Sequence, residues 1–206
     1  MNIANNSTIQ YYSTNADRFY KKYKQLPFEE INSLWIQLIP SGKLRVLDVG
    51  AGSGRDAAWF AKKGHEVIAV EPADGLRGLA EKKHSNYSIQ WMKDGLPGLQ
   101  KIRRLRLKFE LILLNAVWMH ITPKHKEESF DTLINLLSEG GKLMITLRHG
   151  TSPDKRIMHP VCKKELIHFS ETKKIELLLD IKSDDLFGRT GVSWETIVYC
   201  RSQGEV

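Results

Sequence analysis

The apolar positions of this chain fall into two regimes. Through the first forty residues they recur every three or four positions: Ile9, Tyr12, Ala16, Phe19, Tyr20 and Tyr23 share one helical face, and Pro27 interrupts the run. A second helical stretch, residues 28–39, repeats the spacing until Pro40-Ser41-Gly42 stops it. Beyond that point continuous apolar runs take over, separated by amphipathic stretches. Strands are expected over residues 44–49, 66–70, 88–92, 109–114, 142–147, 175–181 and 192–200. Residues 55–63, 72–83, 123–138 and 161–172 read as helices, and 94–107 as a polar connector. Unbroken apolar strands alternating with helices imply an α/β fold with a parallel sheet covered on both faces. The last two strands have no helix between them, so they are expected to form an antiparallel pair at one edge. No shift in composition marks a second domain. At 206 residues the chain is expected to be one domain, 1–206, with residues 1–40 as a helical lid on a core of 41–206.

The first strand runs into "VLDVGAGSGRD", residues 46–56, where Gly50, Gly52 and Gly54 alternate at the sheet edge that binds ligands in doubly wound folds. A dinucleotide turn requires G-x-G-x-x-G, and here Arg55 takes the place of the third glycine, where it would crowd a pyrophosphate and the start of the helix. Asp48, in the last turn of the strand, suits a ligand carrying a cationic amino group rather than a phosphate. Glu71 ends the second strand seventeen positions after Gly54, where a carboxylate can accept both hydroxyls of a ribose. Asp94, in "WMKDGLP" after the third strand, can reach an adenine amino group; alternatively it forms the turn before Gly95.

On these residues the chain resembles the class I S-adenosylmethionine-dependent methyltransferases over nearly its whole length. "VLDVGAGSGRDAAWFAKKGHEVIAVEPA" is similar to the family's first two motifs and "WMKDGLPGL" to its third. "FELILLNAVWMHI" resembles its fourth strand, "LINLLSEGGKLMITL" its fifth, and "YYSTNADRFYKKY" the tyrosine-rich helix that closes over the cofactor in many members. The resemblance implies a Rossmann-like, doubly wound, seven-stranded sheet whose last strand is antiparallel. It also implies S-adenosyl-L-methionine as cofactor. Gly50, Ala51, Gly52 and Gly54 would approach its methionine part, Glu71 its ribose, and Pro72, Asp94 and Gly95 its adenine. Asn115 and Ala116 would offer backbone groups to its amino end, while Tyr12 and Tyr20 would cover it.

Methyl transfer to a protonated nucleophile needs a base, and two histidines follow strands at the ligand edge: His120 in "WMH" and His149 in "LRHG". For His120 the competing reading is a buried histidine hydrogen-bonded to backbone. Trp118 is the candidate substrate wall, Trp194 a further platform, and Trp91 a core residue. Arg148, Arg156 and Arg189 are placed to meet an anionic substrate, against the alternative of solvent-facing arginines. The family's nucleobase-modifying branches carry an Asn-Pro-Pro-Tyr-like stretch where this chain has Asn115-Ala116-Val117-Trp118, which speaks against that chemistry.

Composition changes this picture little. The formal charge of +7 is spread thinly, and its densest run, residues 101–108, reads as a solvated connector rather than a nucleic-acid patch. Cys162 and Cys200 lack metal-ligand spacing, so no metal site is expected, and both read as buried, reduced thiols. No apolar run reaches the ~18 residues of a membrane span, the N-terminus lacks a signal-peptide pattern, and a cytoplasmic location is expected. The function expected is methylation of a small molecule. Methylation of RNA or protein and a non-catalytic S-adenosylmethionine-binding module are the alternatives.

Overall fold

The computed structural model describes residues 6–173 and 175–202. A seven-stranded sheet runs through it, made of β1 (Arg45–Val49), β2 (Glu66–Val70), β3 (Ile89–Met92), β4 (Phe109–Leu114), β5 (Leu137–His149), β6 (Ile175–Asp184) and β7 (Ser193–Arg201). Their order is β3-β2-β1-β4-β5-β7-β6. Strands β1 to β5 pair in parallel, and β7 lies antiparallel to both β5 and β6. The last strand is therefore the reversed one, inserted inside the edge strand β6. Strand order reverses between β1 and β4, which opens the ligand crevice at their carboxyl ends.

Side-chain alternation divides the interior into two layers. Leu47, Ile112, Leu143, Ile145 and Tyr199 pack on one face with Phe130 and Leu133 of α7 (Lys126–Leu136). Val46, Leu111, Met144 and Val198 pack on the other with Phe60 of α4 (Arg55–Lys62). α5 (Asp74–Lys83) follows β2, and α8 (Lys163–Glu171) precedes β6.

The first forty residues do not act as one unit. α1 (Asn6–Thr14) and α2 (Ala16–Tyr23), the part of the expected lid that covers the ligand edge, pack on α5 through Phe19, Ala73 and Leu76. The helix expected over 28–39 is instead one turn, α3 (Phe28–Ile31), and a 3-10 turn, Ile36–Leu38. Asn32 breaks it: its side-chain amide donates to the Phe28 carbonyl at 2.9 Å, and its side-chain oxygen accepts from Trp35 Nε1 at 2.9 Å. Such local bonds compete with the helical ladder. Phe28 and Trp35 are buried in the second core layer, so this segment belongs to the core and not to the lid.

The connector expected over 94–107 holds α6 (Gln100–Arg104), anchored by the fully buried Ile102. In β5 the strand begins at Leu137, five residues early, because the "SEGG" stretch makes an excursion between the Phe109–Leu137 and Leu111–Lys142 pairs. Cys162 is exposed and Cys200 half-buried, so the expectation of two buried thiols fails for the first. Among the described residues no helix is long and apolar enough to cross a membrane.

Candidate functional site

The carboxyl ends of β1, β2, β4 and β5 meet beneath α1 and α2 in a cavity of about 250 Å³. The turn after β1 forms its floor. Gly50 has φ +74°, and a Cβ there would lie 2.4 Å from a Val117 methyl, so backbone conformation and close approach both require glycine. The Gly52 amide donates to Glu71 Oε2 at 2.9 Å, and the Ala73 amide donates to Oε1 at 2.8 Å. These bonds orient a buried carboxylate on the cavity wall beside Pro72. Burial outweighs them and raises the Glu71 pKa to about 7.

Asp48 is 2% exposed, and its Oδ2 has no hydrogen-bond partner among the described residues. Burial and the neighbouring Asp56 carboxylate push its pKa well above the ordinary value, against the pull of Arg55. Buried polar groups are nearly always hydrogen-bonded, so an orphaned carboxyl oxygen lining a cavity fits a ligand donor.

After β4, Thr146 fixes the chain: its hydroxyl donates to Asn115 Oδ1 and accepts the Ala116 amide, both at 2.8 Å. Asn115 Nδ2 completes the set by donating to Asp56 at 3.0 Å. Ala116 is held at φ +57°, an uncommon state for a residue with a Cβ. Asn115, Ala116, Ala51 and Gly95 all line the cavity.

At the lid end, His120 is buried with Nδ1 2.9 Å from the Ile157 carbonyl, which places the proton on Nδ1. Nε2 therefore accepts the Tyr12 hydroxyl at 3.1 Å, and Tyr12 in turn accepts Arg156 Nη1 at 2.7 Å. Burial drives the His120 pKa down to about 4, with Arg156 acting in the same direction. The imidazole is thus a neutral acceptor facing the cavity. Arg55, Asp56, Tyr23, Met119, Met158, Trp194 and residues 183–187 also line it.

Several expected site residues stand elsewhere. His149 fails as a base because alternation along β5 sends Thr146 and Arg148 to the cavity and His149 to the opposite face. There its Nε2 lies 3.4 Å from Glu195, which also pairs with Lys163. Trp118 is fully buried in the first core layer and is no substrate wall. Asp94 caps α6 instead of facing the adenine side: Oδ2 accepts the Lys101 and Ile102 amides at 2.7 and 3.1 Å, and Oδ1 accepts that of Gly95. Gly54 opens α4 at φ +74°, and a Cβ would sit 2.7 Å from the Trp91 ring, so it serves packing. Tyr20 tilts against the His84 ring outside the cavity.

The roles of Asp56 and Thr146 are not marked in the sequence, although Asp56 lies two positions after Gly54 and Thr146 shares Arg148's face of β5. Of the loop after β6 only Arg189 stood out in the sequence; Asp185 and Phe187 gave no local signal. The loop's place at the cavity depends on β7 pairing between β5 and β6.

The fold is shared with solved methyltransferases. The 1,6-didemethyltoxoflavin-N1-methyltransferase of Burkholderia thailandensis, with bound 1,6-didemethyltoxoflavin and S-adenosylhomocysteine, aligns at TM-score 0.71 and 16% identity over 95% of this chain and 87% of its own. The S-adenosylhomocysteine-bound magnesium protoporphyrin IX methyltransferase of Synechocystis aligns at TM-score 0.72 and 16% identity over 95% of this chain and 99% of its own. In sequence, an uncharacterized methyltransferase of Staphylococcus carnosus is 29% identical over 110 residues, 53% of this chain. That match spans 49% of the relative's length. The family model described as methyltransferase domain matches residues 15–183, and the chain belongs to that family.

Proposed function

We propose that the chain uses S-adenosylmethionine to methylate a small molecule enclosed beneath α1 and α2. The observation that carries the cofactor reading is the orphaned Asp48 oxygen in a cavity that also presents Glu71 and the Gly50–Gly52 turn. Asp48 would face the methionine ammonium, Glu71 the ribose hydroxyls, and the Gly50–Gly52 and Asn115–Ala116 backbones the methionine part. The bound cofactor supplies a methyl group on an electrophilic sulfonium. The protein's part is therefore alignment and exclusion of water, which Tyr12, Phe19 and Tyr23 of the lid provide. His120 Nε2 can take a proton from the acceptor once the Tyr12 hydroxyl gives up its place there. A small acceptor is supported by the size of the cavity, about 250 Å³, and by the cover that Thr8, Tyr12, Phe19 and Tyr23 of α1 and α2 give it.

Two measurements test this. Calorimetry is expected to show S-adenosylhomocysteine binding and no NAD binding; the reverse would overturn the cofactor assignment. A methyl-labelled cofactor incubated with a cell extract is expected to label the metabolite fraction. Label in RNA or protein would replace the acceptor class. Cofactor binding with no label anywhere would make the chain a binding module.

A further inference from the structure

Four guanidinium groups line the cavity: Arg55, Arg148, Arg156 and Arg189. Three carry their own counter-ion. Arg55 Nε meets Asp56 at 2.5 Å, Arg156 meets Asp154 through Nε at 2.6 Å and Nη2 at 3.0 Å, and Arg189 is held by Asp185 through Nε at 2.9 Å and through Nη2. Arg148 has none among the described residues. It is 5% exposed, and Nη1 makes all its hydrogen bonds: to the Gly150 and Thr151 carbonyls at 3.0 and 3.1 Å, and to Met158 sulfur at 3.5 Å. Among the described residues its Nε and Nη2, the edge that takes a carboxylate in bidentate fashion, have no hydrogen-bond partner. A buried charge without a partner is costly to keep. Burial, Arg189 and Arg156 all pull its pKa down, and Asp185 and Tyr12 oppose them more weakly.

Lys22 adds a second cation. It lines the same cavity from α2, sits 5.6 Å over the Phe187 ring, and has no ion-pair partner among the described residues. Asp184 of the lining has no cation partner among the described residues, but it is exposed on β6. The same lining carries the apolar and aromatic Met119, Met158, Phe187 and Trp194, with Met158 against Arg148 and Phe187 against Lys22. The Trp194 ring is held by its Nε1 donating to Asp185 at 2.9 Å, and Asp185 also accepts the Phe187 and Arg189 amides at 3.1 and 3.0 Å. The wall is therefore built before any ligand arrives.

We propose that the methyl acceptor is a small aromatic acid whose carboxylate is anchored on the Nε–Nη2 edge of Arg148, with Lys22 as supporting charge and the aromatic body against Phe187 and Trp194. This rests on the methyltransferase reading above. In the sequence Arg148 was one of three arginines facing a substrate. The structure separates it from Arg156 and Arg189, whose charges are already met.

The test is calorimetry on the full chain saturated with S-adenosylhomocysteine, titrated with benzoate and 2-aminobenzoate and, in parallel, with the neutral benzamide and 2-aminobenzamide. The carboxylates are expected to bind about ten- to a hundredfold more tightly than their amides. Arg148→Met should erase that difference and leave S-adenosylhomocysteine affinity within about twofold, which also shows that the variant is folded. Lys22→Met, which leaves the Arg148 loop untouched, should reduce carboxylate affinity by a smaller factor. Equal affinity for acid and amide, a preference that survives Arg148→Met, or no binding of either acid at millimolar concentration overturns the proposal. Failure of S-adenosylhomocysteine itself to bind is a different outcome: it overturns the methyltransferase reading and the acceptor assignment with it.

Discussion

Glu71 and His120 show how burial sets the chemistry of single residues here. Glu71 is held by two backbone amides yet has its pKa raised to about 7. A ribose diol needs both oxygens as acceptors, so a proton on Glu71 must leave when the cofactor binds. Affinity for S-adenosylhomocysteine should be level above pH ~7 and fall by up to about tenfold per pH unit below it. Glu71→Gln should remove this dependence and weaken binding at pH ~8 by about 1.5–3 kcal/mol. Calorimetry between pH ~5.5 and 8.5 measures both, and a wild-type affinity independent of pH would take Glu71 away from the ribose. His120 moves the opposite way, its pKa lowered to about 4, so it stays neutral throughout that range. With saturating cofactor, kcat should therefore show no limb from His120, and His120→Ala should lower turnover by roughly 10²–10⁴-fold. Turnover that survives in the variant would leave catalysis to alignment alone.

α1 is tied to α5 by a contact between the two helices. The Gly75 amide, at the start of α5, donates to Ser13 Oγ at 2.8 Å, and a Cβ on Gly75 would lie 2.2 Å from the Ser13 carbonyl oxygen. Thr8 adds a second tie by accepting the Ile157 amide at 2.9 Å. Gly75→Ala should lift α1 away from α5 and weaken S-adenosylhomocysteine binding by the equivalent of about 1–3 kcal/mol. Amide hydrogen exchange should rise over residues 6–23 and stay unchanged in β1 and β4. Gly78→Ala is the control: nothing lies within 4 Å of its Cβ, and on the same helix it should be neutral or stabilising by about 0.5–1 kcal/mol. If both variants bind alike, the Ser13 contact does not hold the lid. None of this contact was legible in the sequence, because it joins residues 62 positions apart. Legible from local period were all seven strands and the helical face of α1 and α2; the antiparallel pair at the end was legible from the missing helix between its strands. The helix over residues 28–39 was lost to Asn32, whose competing hydrogen bonds leave no mark on hydrophobic spacing.

Over the whole molecule the same division holds for the site. Gly50, Gly52 and Glu71 were readable as cavity residues because they sit at fixed offsets from strand ends, while Asn115 and Ala116 came from the family resemblance. His149 was misplaced because only the register of β5 against β7 tells which face it takes. Trp118 was misplaced because a tryptophan just past a strand end can turn inward as well as outward, and here it fills the core. Asp48 joins the scales, since a site residue there works against the stability of the fold that carries it. Its carboxyl is buried with one oxygen unpartnered and its pKa is pushed well above 3.8. A carboxyl whose pKa is raised on folding weakens the native state as pH climbs past the unfolded value, because the native form then either holds its proton or buries a charge. Asp48→Asn removes that burden. The unliganded variant should match the wild type near pH ~4 and exceed it at pH ~8 by about 1–3 kcal/mol, several degrees in Tm for a chain of this size. The same substitution removes the charge offered to the methionine ammonium, so the Tm rise on adding S-adenosylhomocysteine should shrink or vanish. Thermal melts of both proteins at the two pH values, with and without ligand, give all the comparisons. A variant less stable at pH ~8, or one that keeps the full ligand-induced rise, would show that Asp48 is a structural acid and that the cofactor's amino group is met elsewhere.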